Sequence, residues 1–280
     1  MKKTPKMPAP SAAARRPLAR VAQRVLNRAL SRLDLGVRSV DELGALDEAL
    51  RFHYYWYNAH KKRDIRELDD FGRLAAQTIE QGRTYLSFDR LYTLWQGVSR
   101  LRDHASVVVE VGAFKGGSAR FTAEALRLHD RTNRFFVFDT FEGHAVVDES
   151  VDGKHRVGKQ FRATSLERVA KYLSAHDNVQ VVKGDFRETA TRLEDVGPIG
   201  LAHVDVDVYP VTRFCLEFLA DRMTTGGTIV VDDYGFKKTR GACKAVEEFA
   251  ASRPDFCRMH LLTGQGILIR LERQTAGGAD

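Results

Sequence analysis

Short apolar runs alternate with amphipathic stretches along the chain from about residue 107. Five runs of four or five mostly apolar residues predict buried strands, at Val107–Val111, Phe135–Phe138, Val179–Val182, Gly200–Val204 and Thr228–Val231. Segments with helical periodicity lie between or after these runs, at Ser118–His129, Leu166–Ala175, Pro210–Arg222 and Ala242–Arg253. Strands separated by helices predict a parallel sheet that is covered on both faces.

The end of this pattern predicts a different kind of strand pairing. Two further strands, at about Phe256–Leu262 and Gly266–Leu271, are separated only by Thr263, Gly264 and Gln265. So short a connection cannot be the crossover that parallel strands require, and the pair must therefore be antiparallel. The predicted fold class is α/β, with a Rossmann-like sheet that is mostly parallel and ends in a C-terminal antiparallel hairpin. This ending differs from the dinucleotide-binding arrangement.

The N-terminal third predicts a helical extension. Residues 1–14 lack periodicity, and residues 15–35 read as an amphipathic helix with arginine at every fourth position from 16 to 32. Further helices are expected within 41–103, one of them beginning at Ser87 or Asp89 as the cap. We therefore divide the chain into a basic tail and helix at 1–38, a helical region at 39–103, a sheet domain at 104–272 and a disordered tail at 273–280.

Charge is concentrated at one end of this chain of 280 residues. Of 44 basic and 37 acidic side chains, ten basic and one acidic fall within residues 1–38, which leaves 34 basic against 36 acidic in the rest. The body is therefore not expected to bind nucleic acid. The basic helix at 15–35 could contact a membrane surface, but we favour a helix that covers its own domain or a sister subunit, so a homo-oligomer is compatible with the sequence.

Cysteine usage and hydropathy bear on the compartment. Three widely spaced cysteines are too few for a disulfide framework, and no apolar run approaches the roughly 20 residues of a membrane span. We expect a cytoplasmic protein.

Pairs of carboxylates follow two of the predicted strands. Asp205 and Asp207 come directly after one strand, and Asp232 and Asp233 come directly after the next. Adjacent buried carboxylates repel one another and lose hydration, and a hard divalent cation is the simplest compensation. The sequence therefore predicts a magnesium-type site at this edge of the sheet.

Glycines and acids follow the first three strands. The first strand contains Glu110 and runs into Gly112, then Gly116, Gly117 and Ser118, a spacing that lacks the dinucleotide fingerprint. An acid inside the strand suits an amino-bearing ligand better than a pyrophosphate.

The second and third strands end in Asp139-Thr140-Phe141 and in Asp185-Phe186. We expect Asp139 to bind a ribose hydroxyl pair. Asp185 either accepts from an adenine amino group, with Phe186 near the ring, or only caps a helix that begins near Glu188.

Taken in order, these motifs resemble the macrocin O-methyltransferase family of class I methyltransferases. The resemblance covers about residues 85–272 and is carried by Arg90-Leu-Tyr92-Thr, Val-Glu110-Val-Gly112, Asp139-Thr-Phe-Glu-Gly143, Asp205-Val-Asp207-Val-Tyr209 and Asp232-Asp-Tyr-Gly235. It implies that Asp205, Asp232 and Asp233 are metal ligands. It also implies that Glu110, Gly112, Asp139 and Asp185 line an S-adenosylmethionine site, which makes 104–272 the methyltransferase domain.

The expected function is transfer of a methyl group from S-adenosylmethionine to a hydroxyl of a small glycosylated or polyhydroxylated metabolite, with Mg²⁺ as second cofactor. The expected catalytic residues are Asp205 and Asp207, but the base that takes the hydroxyl proton stays open among Asp207, His203, His144, Lys237, Lys238 and a metal ligand such as Asp205. The polar loop 140–163 could serve as a lid. Two alternatives are an NAD-linked oxidoreductase on a related sheet and a non-catalytic protein held to a surface by its basic helix.

Overall fold

The sheet has seven strands in the order β3-β2-β1-β4-β5-β7-β6. A computed structural model of the chain describes residues 66–101 and 103–272. The strands are β1 (Val107–Val111), β2 (Phe135–Asp139), β3 (Val179–Lys183), β4 (Ile199–Val204), β5 (Met223–Val231), β6 (Phe256–His260) and β7 (Gly266–Arg270). Strands β1 to β5 pair in parallel, whereas β7 runs antiparallel between β5 and β6. The predicted fold class is confirmed.

Seven α-helices accompany these strands in the described part of the chain. They are α1 (Arg66–Glu80), α2 (Phe88–Ser99), α3 (Gly117–Leu128), α4 (Leu166–Leu173), α5 (Phe186–Thr189), α6 (Tyr209–Ala220) and α7 (Arg240–Ser252), and a 3₁₀ turn (Ala190–Leu193) follows α5. Of the two predicted caps of α2, Ser87 occupies the N-cap position, but its side chain makes no capping hydrogen bond and instead contacts Asp89. None of these helices is long and apolar enough to cross a membrane.

Alternation of side chains along the central strands builds two cores, one on each face of the sheet. Val107, Val109 and Val111 of β1 pack in a core with α5, α6 and α7, while Val108 packs in a second core with α1 to α4. Because successive strand residues point to opposite faces, Glu110 belongs to the same face as Val108. The parallel strands are buried on both faces, as their continuous apolar runs predict.

The outer limits of several predictions differ from the structure. Strand β5 begins at Met223, five residues before the expected Thr228, and its pairing with β4 shifts register between Ile199 and Leu201. The extra residues include two threonines and two glycines, of which Thr225 and Gly226 are exposed, so they lack the apolar run from which a strand is recognised. The predictions for the basic tail, the helix at 15–35 and the tail at 273–280 lie outside the described residues, and the domain limits stay predictions.

Candidate active site

The predicted site residues converge because four neighbouring parallel strands end at one edge of the sheet. Gly112 follows β1, Asp139 ends β2, Asp205 follows β4 and Asp232 follows β5. Backbone hydrogen bonds hold these strand ends in register. The amide of Asp205 donates to the carbonyl of Val111 (2.9 Å), and the amide of Asp232 donates to that of Val204 (2.9 Å).

Three carboxylates meet at this edge. Asp205, Asp232 and Asp233 each offer an oxygen, and these oxygens lie within 4.8 Å of one another. Burial, followed by repulsion from neighbouring aspartates, raises the pKa of Asp205 and of Asp233 well above the ordinary range. The aspartate cluster, as we call these three residues, therefore holds more negative charge than the surrounding protein compensates.

Asp232 is the member of the aspartate cluster with the strongest protein partners. Its side chain is 1% exposed, and it accepts from Arg90 Nη1 at 2.5 Å and from Gln265 Nε2 at 2.8 Å. Burial acts to raise the pKa of Asp232, but His203 and Arg90 lower it overall. Asp232 is thus ionised, and Arg90 supplies one positive charge to the cluster.

A buried chain of charges connects this cluster to the first strand. The register of β1 and β4 sets Glu110 beside His203, whose Nδ1 lies 3.3 Å from Glu110 Oε1 and whose Nε2 lies 3.8 Å from Asp232. Burial acts to lower the pKa of His203, but its two acidic neighbours raise it to about 10. Ser118 donates its hydroxyl to Glu110 Oε1, whereas Glu110 Oε2 is buried without a hydrogen-bond partner among the described residues.

The ligand atoms and charge of the aspartate cluster can be compared with those that Mg²⁺ requires. The ion prefers oxygen ligands and binds through a few carboxylates while it keeps several waters. Three converging carboxylates, two of them with raised pKa, provide the donor type and the uncompensated charge that such an ion would need. The residues present therefore fit the cation.

Asp207 lies beside the cluster in a strained backbone conformation. Its φ is +62°, and its amide donates to Asp233 Oδ2 at 3.0 Å. Burial, then the charges of Asp205 and Asp232, raises the pKa of Asp207 to about 8. The carboxylate lies 3.9 Å from His144 Nε2. Positive φ in a residue other than glycine marks stored strain, which often accompanies function.

The other candidates for the base differ in their suitability. His203 lies inside β4 and is held protonated, so it cannot accept a proton near neutral pH. Burial lowers the pKa of His144 to about 4, so that its imidazole is neutral near pH 7 but is a weak base. Lys237 and Lys238 are both exposed in the turn after the aspartate cluster.

The glycine-rich turn after β1 requires glycine because neighbouring backbone atoms leave no room for a Cβ. A Cβ on Gly112, whose φ is +98°, would lie 1.9 Å from the carbonyl oxygen of Asp205. A Cβ on Gly117 would lie 2.7 Å from the backbone of Arg83. Gly116 precedes α3 with φ +79°. These requirements hold without any ligand, so they neither support nor oppose a cofactor at this turn.

Asp139 links the glycine-rich turn to the end of β2. Its Oδ2 accepts from the amides of Ala113 (2.8 Å) and Phe114 (2.7 Å), and its Oδ1 accepts from the amide of Phe141 (2.6 Å). Burial raises its pKa, although these three bonds oppose the change. Thr140 closes the following turn by donating to the carbonyl of Gly143 at 2.6 Å. Phe141 is buried with φ +55°.

The end of β3 differs in part from its prediction. Asp185 accepts from the amide of Arg187 at 3.0 Å and so caps α5, which begins at Phe186 rather than near Glu188. The carboxylate also binds the guanidinium of Arg187 at 2.6 Å. Phe186 is 2% exposed and packs edge-on against Phe138, which leaves it almost no free ring for a ligand.

The loop between β2 and α4 is fastened to the sheet edge. Asp152 is 1% exposed, and it accepts from the amide of Tyr209 at the start of α6 (2.8 Å) and from the amide of Asp148 (2.8 Å). Farther along the loop, Phe161 packs edge-on against Phe114 of the glycine-rich turn. These contacts hold the loop against the sheet edge and the glycine-rich turn.

Sequence reasoning did not assign Arg90, Gln265 or His155 a role at the site. A basic residue in the first turn of a helix opposes the helix dipole, and Arg90 occupies such a position in α2. That signal could have marked Arg90 as a partner of a distant acid. Gln265 lies in the hairpin turn, and His155 lies in the loop, where nothing local distinguishes them from surface residues.

Comparison with known proteins gives related sequences of one kind. The profile of the macrocin-O-methyltransferase (TylF) family matches residues 33–256. A tetracenomycin rhamnosyl 4'-O-methyltransferase of Streptomyces olivaceus is 32% identical over 148 residues, which is 48% of this chain and 55% of that protein. Mycinamicin III 3''-O-methyltransferase of Micromonospora griseorubida is 28% identical over 59% of this chain and 69% of that protein. The chain thus aligns with little more than half of the first relative.

Two solved methyltransferases share this fold. The O-methyltransferase NovP superposes with a TM-score of 0.55 at 22% identity, over 68% of this chain and 83% of that one. The calicheamicin methyltransferase CalS11 gives a TM-score of 0.55 at 20% identity, over 74% and 93%. At these identities, the likeness shows the class I methyltransferase fold alone.

Proposed function

Because this chain belongs to the macrocin O-methyltransferase family, we propose that it moves a methyl group from S-adenosylmethionine to a hydroxyl of a small glycosylated or polyhydroxylated metabolite, with Mg²⁺ bound. The observation that carries the proposal is the meeting of Asp205, Asp232 and Asp233 at the sheet edge, directly against the glycine-rich turn. The relatives whose names describe glycosylated acceptors support that acceptor class.

The cofactor end of the site comprises the residues that follow β1, β2 and β3. They are Glu110, Gly112, Gly116, Gly117, Ser118, Asp139, Thr140, Phe141 and Asp185, whereas Phe186, also predicted here, is buried against Phe138 and is not assigned a contact with the cofactor. S-adenosylmethionine would supply an electrophilic methyl group. Asp139 keeps an acceptor position on Oδ1, which carries one hydrogen bond, for a ribose hydroxyl. Glu110 Oε2, buried and unpartnered, is suited to an amino group.

The acceptor end is formed by the aspartates. Asp205, Asp232 and Asp233 would hold Mg²⁺, which when bound would lower the pKa of an acceptor hydroxyl and stabilise its developing negative charge. Ion pairs with Arg90 and His203 hold the carboxylate of Asp232 in place, so its orientation is set before a ligand binds. Such preorganisation lets a site act on the reacting atoms without first rearranging.

Asp207 is the residue that we assign to removal of the acceptor proton, and Asp205 orients the acceptor. A general base works best with a pKa near the operating pH, and the pKa of Asp207 is about 8. None of the ion pairs of Asp207 among the described residues involves lysine or arginine, whereas Asp232 is tied to Arg90. The loop anchored by Asp152 would exclude water from both reactants.

Calorimetric titration with S-adenosylmethionine tests the cofactor, in the presence and absence of Mg²⁺. We expect the unmutated chain to bind it, Asp139→Ala to weaken binding at least tenfold, and Asp232→Asn/Asp233→Asn to keep cofactor binding while losing metal-dependent turnover. Asp177→Ala, at an exposed acid after α4, is the matched control. No binding by the unmutated chain would refute the proposal. If a chelator leaves the rate of methyl transfer unchanged, Mg²⁺ has no part in the proposed mechanism.

Family membership opposes the oxidoreductase alternative, and the surface-binding alternative concerns residues outside the described ones. A cytoplasmic location and a homo-oligomer remain proposals.

A further inference from the structure

A second group of metal-ligating side chains lies next to the aspartate cluster. It consists of His144 and His155 from the loop after β2 and Asp207 from the end of β4, and we call it the histidine cluster. One ligand atom of each residue lies within 4.8 Å of the other two. The proposed methyl transfer does not require His155.

The distances between the donor atoms suit a metal ion. His144 Nε2 lies 3.1 Å from His155 Nδ1 and 3.9 Å from Asp207 Oδ2. Two nitrogens bound to one tetrahedral Zn²⁺ at about 2.0–2.1 Å lie about 3.4 Å apart, so these two separations are within about half an ångström of the bound value, and the third pair, His155 and Asp207, has donor atoms within 4.8 Å. Without a metal ion, two ring nitrogens that face each other can share only one proton, in a single N–H···N hydrogen bond.

The backbone holds these donors in place independently of any ligand. The amide of Gly158 donates to the carbonyl of His144 at 2.9 Å, and the amide of His155 donates to the carbonyl of Asp152 at 3.2 Å. Asp152 is itself the buried anchor of the loop. Both imidazoles therefore belong to a loop that is already held beside Asp207. Binding of a cation would cost this loop little conformational entropy.

The charge and ligand type select the class of metal. His144 is kept neutral by burial, so its nitrogen offers a lone pair near neutral pH. Two imidazoles and one carboxylate suit Zn²⁺ and related transition metals, whereas the all-carboxylate aspartate cluster suits Mg²⁺. The negative aspartates nearby add a favourable potential for a second cation.

We propose that His144, His155 and Asp207 form a distinct binding site for a borderline divalent transition metal such as Zn²⁺, separate from the aspartate cluster. Three protein ligands leave a coordination position for water. The ion ties the loop to the sheet edge. It also occupies Asp207, so Zn²⁺ inhibits methyl transfer. That last consequence rests on the proposed function, whereas the existence of the site does not.

Cobalt(II) is the probe for the test, because a low-coordinate site containing nitrogen absorbs visible light far more intensely than an octahedral all-oxygen site. The full chain is stripped with a chelator, supplied with excess Mg²⁺ to fill the oxygen site, and titrated with Co²⁺. We expect an intense band that saturates at one equivalent and that Zn²⁺ removes. The band persists in Asp232→Asn/Asp233→Asn.

Variants of the histidine cluster decide the assignment. His155→Ala lowers Co²⁺ affinity at least tenfold and abolishes the intense band, and His144→Ala does the same. His104→Ala, an exposed histidine before β1, leaves the band unchanged. Far-ultraviolet circular dichroism checks that each variant is folded. If His144→Ala fails to fold, His155→Ala decides alone, because His155 lies on the loop rather than in either core.

Two results would overturn the proposal. One is the absence of an intense band in the unmutated chain, and the other is a band that His155→Ala leaves unchanged. Because no methyl donor is present, these results are independent of whether the chain transfers a methyl group.

Discussion

Gly112→Ala should damage this protein more than an ordinary glycine replacement, because two separate penalties act at one position. The backbone of Gly112 has φ +98°, which L side chains rarely adopt. The new Cβ would also lie 1.9 Å from the carbonyl oxygen of Asp205, a distance that real Cβ atoms do not approach. The segment that carries Asp205 would have to move by about 1 Å to restore contact at 3.0 Å.

The size of the effect follows from these two penalties. Positive φ in a residue with a Cβ costs about 1–2 kcal/mol, and forcing an extra carbon into a packed site costs about 1–3 kcal/mol more. The free energy of unfolding should therefore fall by about 2–5 kcal/mol. Gly226→Ala separates the two penalties, because Gly226 has φ +76° but nothing within 4 Å of the new Cβ. It should cost only about 1–2 kcal/mol.

Urea unfolding of both variants measures the difference, and Mg²⁺ titration reports whether Asp205 has moved. We expect Gly112→Ala to lose at least about 1 kcal/mol more than Gly226→Ala and to weaken Mg²⁺ binding, which Gly226→Ala leaves unchanged. Equal losses in the two variants would show that contact with the Asp205 carbonyl does not constrain the site.

Three further changes test the loop, its histidine and the buried ion pair. Asp152→Ala strips two partly buried amides of their acceptor and should cost about 1–3 kcal/mol, against almost nothing for exposed Glu149→Ala in the same loop, as judged by thermal unfolding. His144 has an ordinary pKa of 6.5 that burial lowers to about 4, so the unfolded chain gains its proton first as pH falls and stability declines. From pH 7 to pH 5 in chelator the contribution of His144 should fall by about 2 kcal/mol, measured as the difference in unfolding free energy between the unmutated chain and His144→Gln, because the raised pKa values of Asp207 and His203 make their own contributions change in the opposite direction. Arg90→Met removes the guanidinium partner of buried Asp232, leaving it only Gln265 and His203, and should cost about 3–5 kcal/mol without Mg²⁺, with partial rescue by the ion, whereas exposed Arg213→Met should cost less than about 0.5 kcal/mol.

Local pattern was enough to predict most of the fold. The strand at Val107–Val111 is found with the predicted limits, because four valines within five residues are typical of a strand that is covered on both faces of a sheet. The antiparallel hairpin followed from the three-residue connection alone. The start of β5 at Met223 was missed, since Thr224, Thr225, Gly226 and Gly227 follow it instead of an apolar run, and the pairing with β4 is irregular there.

The sequence predicted the acidic residues of the candidate site, but it did not predict the residues that pair with them. Asp205 and Asp232 follow strands that are adjacent in the sheet, so their proximity could be inferred from the order of elements. Arg90 lies 142 positions before Asp232, and Gln265 lies 33 positions after it. No spacing rule connects residues so far apart. Their contact depends on how α2 and the hairpin pack against the sheet.

The sequence by itself therefore determined the class of fold, the family and the edge at which the acids gather, because these depend on periodicity and on the direction of parallel strands. Only the tertiary structure decided which charges compensate one another: His203 between Glu110 and Asp232, and Arg90 against Asp232. It also brought His144 and His155 to Asp207. The physical reason is that electrostatic partnership depends on distances of a few ångströms in a low-dielectric interior, and chain order does not encode those distances.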